Sequence, residues 1–352
     1  MVGAATRRFR TSVIHNPRGE MIMRHGIQAF VCGAMASLAL LLCIPATADA
    51  QGQKLRVVLP TSSATLVLPL YIAQKKGWLD VESTVVSGDA NAVRALLSGT
   101  ADLAVVGDFN VFAAIGEGAK LKALSAWQGV NDYNLIVTPG INRIQDLTGK
   151  VFAATGPGGP PEEFGRLLFK KYGVDTSSIK FVAVSGGHAN ILQALIAGRA
   201  DGGLVNTLTA VQGMKGGKIK VLTSLAKEYP NLGYCYNIVR EETLADPKFT
   251  QQLAQFVEAG IQAARFIAKN PEQAADILRE RLPDLDPAVT RDVVKKLSKD
   301  GVWGVNGGIE EPAVTATLDV FKKTGLLKGN VTPAQVADYR FVNEAIAKLG
   351  KE

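Results

Sequence analysis

Small polar residues follow the ends of several strand-like runs, and they are the residues of this chain best placed to hold a small molecule. The first such loop, Thr61, Ser62 and Ser63, leads directly into an apolar run with helical spacing. Hydroxyls and the free N–H groups of a helix start suit a polar or anionic group, although one hydroxyl can equally serve only as a helix cap. We predict that this loop contacts a ligand.

A second loop, Asp108, Phe109 and Asn110, combines a carboxylate, an aromatic face and an amide. Asp108 is equally suited to cap the helix that follows it. Trp127 and Tyr133 lie in a polar stretch after a further strand-like run, where they either line a binding cleft or pack in the core. We count all five as candidate ligand contacts.

Two loops in the second half of the chain correspond to these. Gly156, Gly158 and Gly159 allow close backbone approach just before a helix whose first turn holds two prolines. Asn206 and Thr207 follow a later strand-like run. The glycine-rich turn lacks the Gly-Lys-Ser/Thr ending of a phosphate-binding loop, so nucleotide binding is not expected.

The same residues offer little for catalysis or metal binding. No Ser-His-Asp set has a credible placement, and no paired-carboxylate motif is present. Beyond the first fifty residues the only histidine is His188, which excludes a multi-histidine metal site there. We predict no catalytic residue, no metal and no cofactor, and we interpret His188 as helix-start structure or, alternatively, as a ligand contact.

The elements that must position these loops come as two copies of one unit. ANAVRALLSGTADLAVV begins at Ala90 and ANILQALIAGRADGGLV begins at Ala189, with eight of seventeen positions identical and a Val-Ser-Gly ahead of each copy. A repeat at a fixed distance indicates two related supersecondary units. The Ala-Asp pair of each copy, ending at Asp102 and Asp201, is expected to form a turn whose carboxylate accepts backbone N–H bonds.

Strands alternate with helices along both copies, which is typical of parallel α/β units. We predict an α/β protein of two lobes, each a mixed, mostly parallel sheet with flanking helices, with a cleft between them. Lobe one covers residues 51–138 and 224–352, including helices from Pro247 onward, and lobe two covers 139–223. The strands Leu135 to Thr138 and Ile219 to Thr223 are predicted to carry the chain between lobes.

Residues 1–50 have the layout of a cleaved secretory signal. The apolar run from Ile27 to Ala46 is followed by Ala48-Asp49-Ala50, an A-x-A cleavage site; a transmembrane anchor is the alternative interpretation. Removal of this segment leaves 34 basic and 30 acidic residues, a net charge of +4, and one cysteine, Cys235. That charge is too small for a nucleic-acid surface. A periplasmic location is expected.

Several stretches together resemble the solute-binding proteins of bacterial nitrate/sulfonate/taurine-type ABC importers. They are Pro69-Leu70-Tyr71-Ile72-Ala73, Lys76-Gly77-Trp78, Ala95 through Asp102, and Ile144 through Lys150. The resemblance implies a type II periplasmic binding fold without catalysis. It also implies a monomer that captures a small polar or anionic organic solute by lobe closure and delivers it to ABC permease subunits.

The chain departs from the family pattern at Leu79-Asp80-Val81-Glu82, where a longer stretch is usual, and its loops offer no evident arginine for a sulfonate or nitrate. One alternative is therefore an aromatic-acid or pyrimidine-precursor binding protein, including one serving a TRAP-type permease. Another is an enzyme like those that make a thiamin pyrimidine precursor. That enzyme needs a cysteine-rich segment and a donor histidine, and here Cys235 is far from His188 in the sequence.

Overall fold

The computed structural model describes residues 54–61, 63–230, 232–327 and 329–352. The predicted signal segment, residues 1–50, and the predicted ligand contact Ser62 lie outside this part of the chain. Among the described helices, none is long and apolar enough to cross a membrane.

Ten strands form two five-stranded sheets. In chain order the strands are β1 (Leu55–Leu59), β2 (Val81–Val85), β3 (Leu103–Gly107), β4 (Leu121–Gln128), β5 (Tyr133–Val137), β6 (Val151–Ala154), β7 (Lys180–Ala183), β8 (Gly202–Asn206), β9 (Lys220–Ser224) and β10 (Cys235–Arg240). The first sheet has the order β2-β1-β3-β10-β4 and the second β7-β6-β8-β5-β9. The repeat in the sequence is therefore also a repeat in topology, and the predicted two-sheet α/β fold is confirmed.

Helices cover these sheets and form the C-terminal part of the described chain. They are α1 (Ala64–Lys75), α2 (Asp89–Leu97), α3 (Asp108–Gly116), α4 (Pro160–Lys171), α5 (His188–Ile196), α6 (Thr207–Met214), α7 (Leu225–Glu228), α8 (Glu241–Ala245), α9 (Pro247–Lys269), α10 (Pro271–Arg281), α11 (Pro287–Lys299), α12 (Glu311–Lys323), α13 (Pro333–Val336) and α14 (Arg340–Leu349). Short 3₁₀ turns occupy Ile144–Leu147 and Thr176–Ser178.

The repeated aspartates tie each lobe together in the same way. Asp102 accepts a hydrogen bond from the N–H of Arg56 at 3.0 Å, and Asp201 accepts one from the N–H of Val151 at 2.9 Å. Each carboxylate thus joins the start of one strand to the start of its parallel neighbour. The predicted turn function of these two residues is confirmed.

The chain crosses between the sheets at residues 129–132 and 225–234, not within the strands predicted for it. β5 and β9 both belong to the second sheet, where Tyr133 pairs with Asn206 and Leu135 with Thr223. The predicted crossings at Leu135 to Thr138 and Ile219 to Thr223 were therefore wrong. Apolar strands that are buried in a sheet carry no local pattern that says which sheet they join.

The shorter crossing is held by both lobes. The hydroxyl of Thr65, in α1, donates to the carboxylate of Asp132 at 3.1 Å. The hydroxyl of Thr207, in α6, donates to the carbonyl of Asp132 at 3.0 Å. Asp132 thus connects the first turns of two helices that belong to different lobes.

The C-terminal helices pack on the first lobe, as predicted, and also reach the second. α9 contacts α1 and β4, while α11 contacts α6. Lys215 in lobe two forms an ion pair with Asp286 at 2.9 Å. Phe321 of α12 stacks on Phe164 of α4, with ring centroids 6.3 Å apart. This helical block therefore bridges the two sheets.

Candidate functional site

A cavity of about 280 Å³ lies between the two sheets. Its walls come from loops at the carboxyl ends of strands in both lobes, where ligands bind in open α/β folds. The lining residues are Pro60, Thr61, Val85, Val86, Ser87, Gly88, Asp89, Tyr133, Thr155, Pro160, Pro161, Gly186, Gly187, His188, Tyr234 and Cys235. Both copies of the repeated unit thus contribute to one cavity.

Two equivalent turns face each other across this cavity. Gly88 precedes α2 with φ of 89°, and Gly187 precedes α5 with φ of 78°. These left-handed conformations favour glycine because it has no Cβ. Each turn therefore brings the first residue of its helix, Asp89 in one lobe and His188 in the other, to the cavity wall.

Asp89 places a carboxylate in the cavity. Its Oδ1 accepts a hydrogen bond from the N–H of Gly107 at 2.6 Å, and the residue is 8% exposed. Burial raises the pKa of Asp89 to about 6, since loss of water disfavours the charged form, and hydrogen bonds from backbone N–H groups only partly offset this effect. At neutral pH the cavity therefore contains one negative charge.

His188 begins a chain of hydrogen bonds that runs across the site. Its Nδ1 accepts from the N–H of Asn206 at 3.4 Å, and its Nε2 lies 3.1 Å from the hydroxyl of Tyr133. Burial lowers the pKa of His188 to about 4, so the ring is neutral at pH 7. Because Nδ1 accepts, Nε2 carries the proton and donates to Tyr133.

Tyr133 continues this hydrogen-bond chain to Tyr234, which belongs to the other lobe. Its hydroxyl lies 3.1 Å from that of Tyr234, and since the Tyr133 oxygen already accepts from His188, its proton points to Tyr234. The Tyr234 hydroxyl is then free to donate a hydrogen bond to an acceptor in the cavity. Burial raises the pKa of both phenols well above the usual value, so both remain protonated.

Cys235 lies in the wall beside Tyr234. It is the one cysteine of the described chain and is buried. Although distant from His188 in the sequence, it lines the same cavity. Burial raises the pKa of its thiol well above the usual value, and a thiol that is not ionised is a poor nucleophile. Within the described residues, no three His, Cys, Asp or Glu side chains cluster to hold a metal ion.

Of the predicted ligand contacts, Thr61 and Tyr133 line the cavity. Four others form direct bonds between the lobes. The side-chain amide of Asn206 donates to the hydroxyl of Ser63 at 2.8 Å, and the amide of Asn110 donates to the carbonyl of Gly158 at 3.1 Å. These residues fasten the lobes together around the cavity instead of forming its wall.

The six remaining predicted contacts within the described chain are not among the residues that line the cavity. Asp108 is buried and accepts from the N–H of Phe109, Phe109 packs edge-on against Phe321 at 5.7 Å, and Trp127 stacks on Phe256 at 5.3 Å. Gly159 donates its N–H to the carbonyl of Gly156 within their turn. Thr207 donates to the carbonyl of Asp132. Their contact with a ligand stays a prediction.

Sequence reasoning missed Asp89, Tyr234, Cys235 and the Gly186-Gly187 turn as part of the site. A usable signal was present for two of them. The Val-Ser-Gly ahead of each copy of the repeat ends immediately before Asp89 in one lobe and two residues before His188 in the other. When two copies of a unit form opposed lobes, their equivalent turns line the same cleft. The repeat in the sequence therefore already indicated where the site lies.

The model of the NMT1/THI5-like family matches residues 64–274 of this chain. A candidate binding protein of Bacillus subtilis (strain 168), YtlA, is 22% identical over 290 residues, covering 80% of this chain and 85% of that protein.

Among solved structures, a protein of Bordetella bronchiseptica RB50 is similar with a TM-score of 0.73 and 20% identity, over 85% of this chain and 99% of the other. The ligand-binding component of an ABC-type import system from Staphylococcus aureus gives 0.67 and 18%, over 84% and 99%. The alkanesulfonate-binding protein SsuA of Xanthomonas axonopodis pv. citri gives 0.64 and 20%, over 82% and 99%. The fold is that of periplasmic binding proteins.

Proposed function

Because this chain belongs to the NMT1/THI5-like family, we propose that it captures a small organic solute between its lobes and delivers it to the permease subunits of an ABC-type importer. In this role the protein is an extracytoplasmic, periplasmic monomer and carries out no reaction on its solute. Its partners are the solute and the permease.

The observation that supports this proposal most strongly is a cavity between two lobes that touch. Lobe-to-lobe hydrogen bonds join Asn206 to Ser63 and Asn110 to Gly158. At Gly107 an added Cβ would lie 3.1 Å from Pro160 of the opposite lobe. Direct contacts between two lobes beside a shared cavity suit a protein that closes around its ligand.

Two solute classes are open to a protein with this fold. The name of the SsuA neighbour refers to alkanesulfonates, which supports the small anionic class expected from the sequence. The rings of Tyr133 and Tyr234, which line the cavity and meet edge-on at 5.2 Å, favour a flat aromatic or heterocyclic solute instead.

A thermal-shift panel tests the proposed function. The purified protein is screened with sulfonates, nitrate, pyrimidines, aromatic carboxylates and amines. A ligand at 100 times its Kd stabilises the folded state by about 2.7 kcal/mol, so at least one class should raise Tm by several degrees. Mass spectrometry should then recover that compound unchanged. A stabilising compound that is converted to a product would contradict the non-catalytic role.

Variants connect the binding to the cleft. We expect Thr61→Ala combined with Ser62→Ala to weaken binding of the stabilising compound while Tm without ligand stays within a few degrees. Lys323→Ala, on the C-terminal helix α12, serves as the control. Equal affinity in the double variant and the control would remove the hydroxyl-rich loop from the site.

A further inference from the structure

The wall of the cavity contains a negative charge and no positive one. Among the described residues that line it, Asp89 is the only carboxylate and none is a lysine or arginine. Within the described chain, no basic side chain forms an ion pair with Asp89. His188 is neutral, so it does not balance this charge.

Two of the three helix starts at the cavity do not compensate for the missing cation. α4 begins with Pro160 and Pro161, so its first two positions have no N–H to offer an anion. α2 begins with Asp89 itself, whose carboxylate lies in the first turn and occupies the favourable end of the helix dipole. Of these three helices only α5, which begins at His188, has neither a carboxylate nor a proline in its first turn.

The hydrogen-bond chain adds one donor, the Tyr234 hydroxyl, to the acceptor that Asp89 provides. Since His188 donates to Tyr133 and Tyr133 to Tyr234, the hydroxyl proton of Tyr234 is directed at the cavity. The faces of the two tyrosine rings are also electron-rich, and such rings attract cations. Asp89 and Tyr234 together therefore suit a solute with N–H donors for the carboxylate and an acceptor for the hydroxyl.

We propose, on the basis of the proposed function, that the cavity selects solutes whose head group is an amine, an amidine or an amino-substituted ring. The N–H groups of that head group bind the Asp89 carboxylate, and sulfonates, nitrate and carboxylates are rejected. A carboxylate forms strong, short hydrogen bonds with charged nitrogen donors, whereas an oxyanion placed beside the buried Asp89 carboxylate meets a like charge.

Asp89 also has a local contact, because it accepts from the N–H of Gly107. The variant Asp89→Asn separates the two roles, since an amide oxygen can still accept this bond while the charge is gone. Asp80→Asn is the matched control: it removes the same charge from an exposed residue whose only ion pair in the described chain is with Lys54.

The experiment uses four probes that share one ring: benzylamine, benzamidine, benzenesulfonate and benzoate. Thermal shift and calorimetry on the wild-type protein at pH 7.5 should detect binding of the first two and no response to the last two. Asp89→Asn should weaken benzamidine binding at least tenfold, whereas Asp80→Asn should leave it unchanged.

Binding of benzenesulfonate or benzoate in preference to the amines would overturn the selectivity and leave the proposed capture of a solute intact. No response to any of the four probes would also count against the selectivity, while the wider solute panel still tests the capture function. If Asp89→Asn did not fold, the wild-type ranking of benzylamine against benzenesulfonate would decide alone.

Discussion

The turn before α2 and the turn before α5 are two copies of one design that carry different chemistry. In each, a left-handed glycine precedes the helix, at Gly88 and Gly187. In each, the first helical side chain accepts a hydrogen bond from the last residue of the middle strand of its sheet, β3 or β8. Asp89 accepts from Gly107 and His188 from Asn206.

This comparison separates what the backbone provides from what the side chain provides. The duplicated turn fixes the position and the local hydrogen bond, and these tolerate either a carboxylate or an imidazole. Burial then moves the two pKa values in opposite directions, to about 6 for Asp89 and about 4 for His188. One turn therefore supplies charge, while the other supplies a neutral donor.

The largest expected effect is an opposite pH dependence of stability in two variants. The raised pKa of Asp89 contributes stability at low pH that is lost as pH rises from about 4 through about 6. The lowered pKa of His188 contributes stability above about 6.5 that is lost as pH falls towards 4. Each contribution is at most about 3 kcal/mol, and in the wild-type protein the two offset each other between pH 4 and 6.

Urea denaturation between pH 4 and 7.5 measures this. Relative to the wild type, Asp89→Asn should gain about 1–2 kcal/mol at pH 7, after allowance for a weaker hydrogen bond, and lose that advantage by pH 4. His188→Gln should be less stable at pH 7 and recover relative to the wild type on acidification. Parallel profiles for the two variants would show that the turns are not electrostatic opposites.

The next effect tests whether the His188 turn acts through Tyr133. Tyr133→Phe removes the hydroxyl that joins His188 to Tyr234, and we expect a loss of about 1–3 kcal/mol because a buried N–H is left without an acceptor. Tyr339→Phe is the control, since the Tyr339 hydroxyl is buried without a hydrogen-bond partner in the described chain. Equal stability of both variants in urea denaturation would argue against the hydrogen-bond chain.

A smaller effect is expected where the lobes are joined away from the turns. Ser63→Ala removes the acceptor of the Asn206 amide, a bond worth about 1 kcal/mol. A stabilising ligand should then dissociate about fivefold faster, which stopped-flow fluorescence can measure. Ser98→Ala, on the exposed end of α2, should leave the rate unchanged, and the same rate in both variants would remove Ser63 from the closure contacts.

The smallest effect compares the two serines of the repeated Val-Ser-Gly. Ser87 lines the cavity, whereas Ser185 does not belong to its wall. Both alanine variants should stay within about 0.5 kcal/mol of the wild type in stability, but only Ser87→Ala should alter ligand affinity, by twofold to fivefold in calorimetry. A change for Ser185→Ala of the same size would show that the lobes are used more symmetrically than the cavity wall indicates.

Local patterns were sufficient to predict the fold. The repeat, the strand and helix alternation and the turn role of Asp102 and Asp201 depend on neighbours in the sequence or on a comparison of two segments. The crossing points were mispredicted because the pairing of β5 and β9 depends on partners that are distant in the sequence.

The site was harder to predict, since its members come from six separate segments of the chain. Thr61 and Tyr133 were found from their position after strands, but Asp89 looks in the sequence like an ordinary helix start. For Trp127 the sequence left both a cleft position and a core position open, and in the structure its ring stacks on Phe256. Which side of a strand faces a cleft depends on the packing of helices that lie more than a hundred residues away.

Because Cys235 is buried in the cavity wall, the rate at which its thiol reacts with a bulky reagent reports on how often the lobes separate. A thiol reagent too large for the closed cavity reacts only with molecules whose lobes have separated, so its rate of incorporation counts opening events without any engineered label. A bound solute should slow that reaction in proportion to its occupancy, so the rate of Cys235 modification measures solute capture directly.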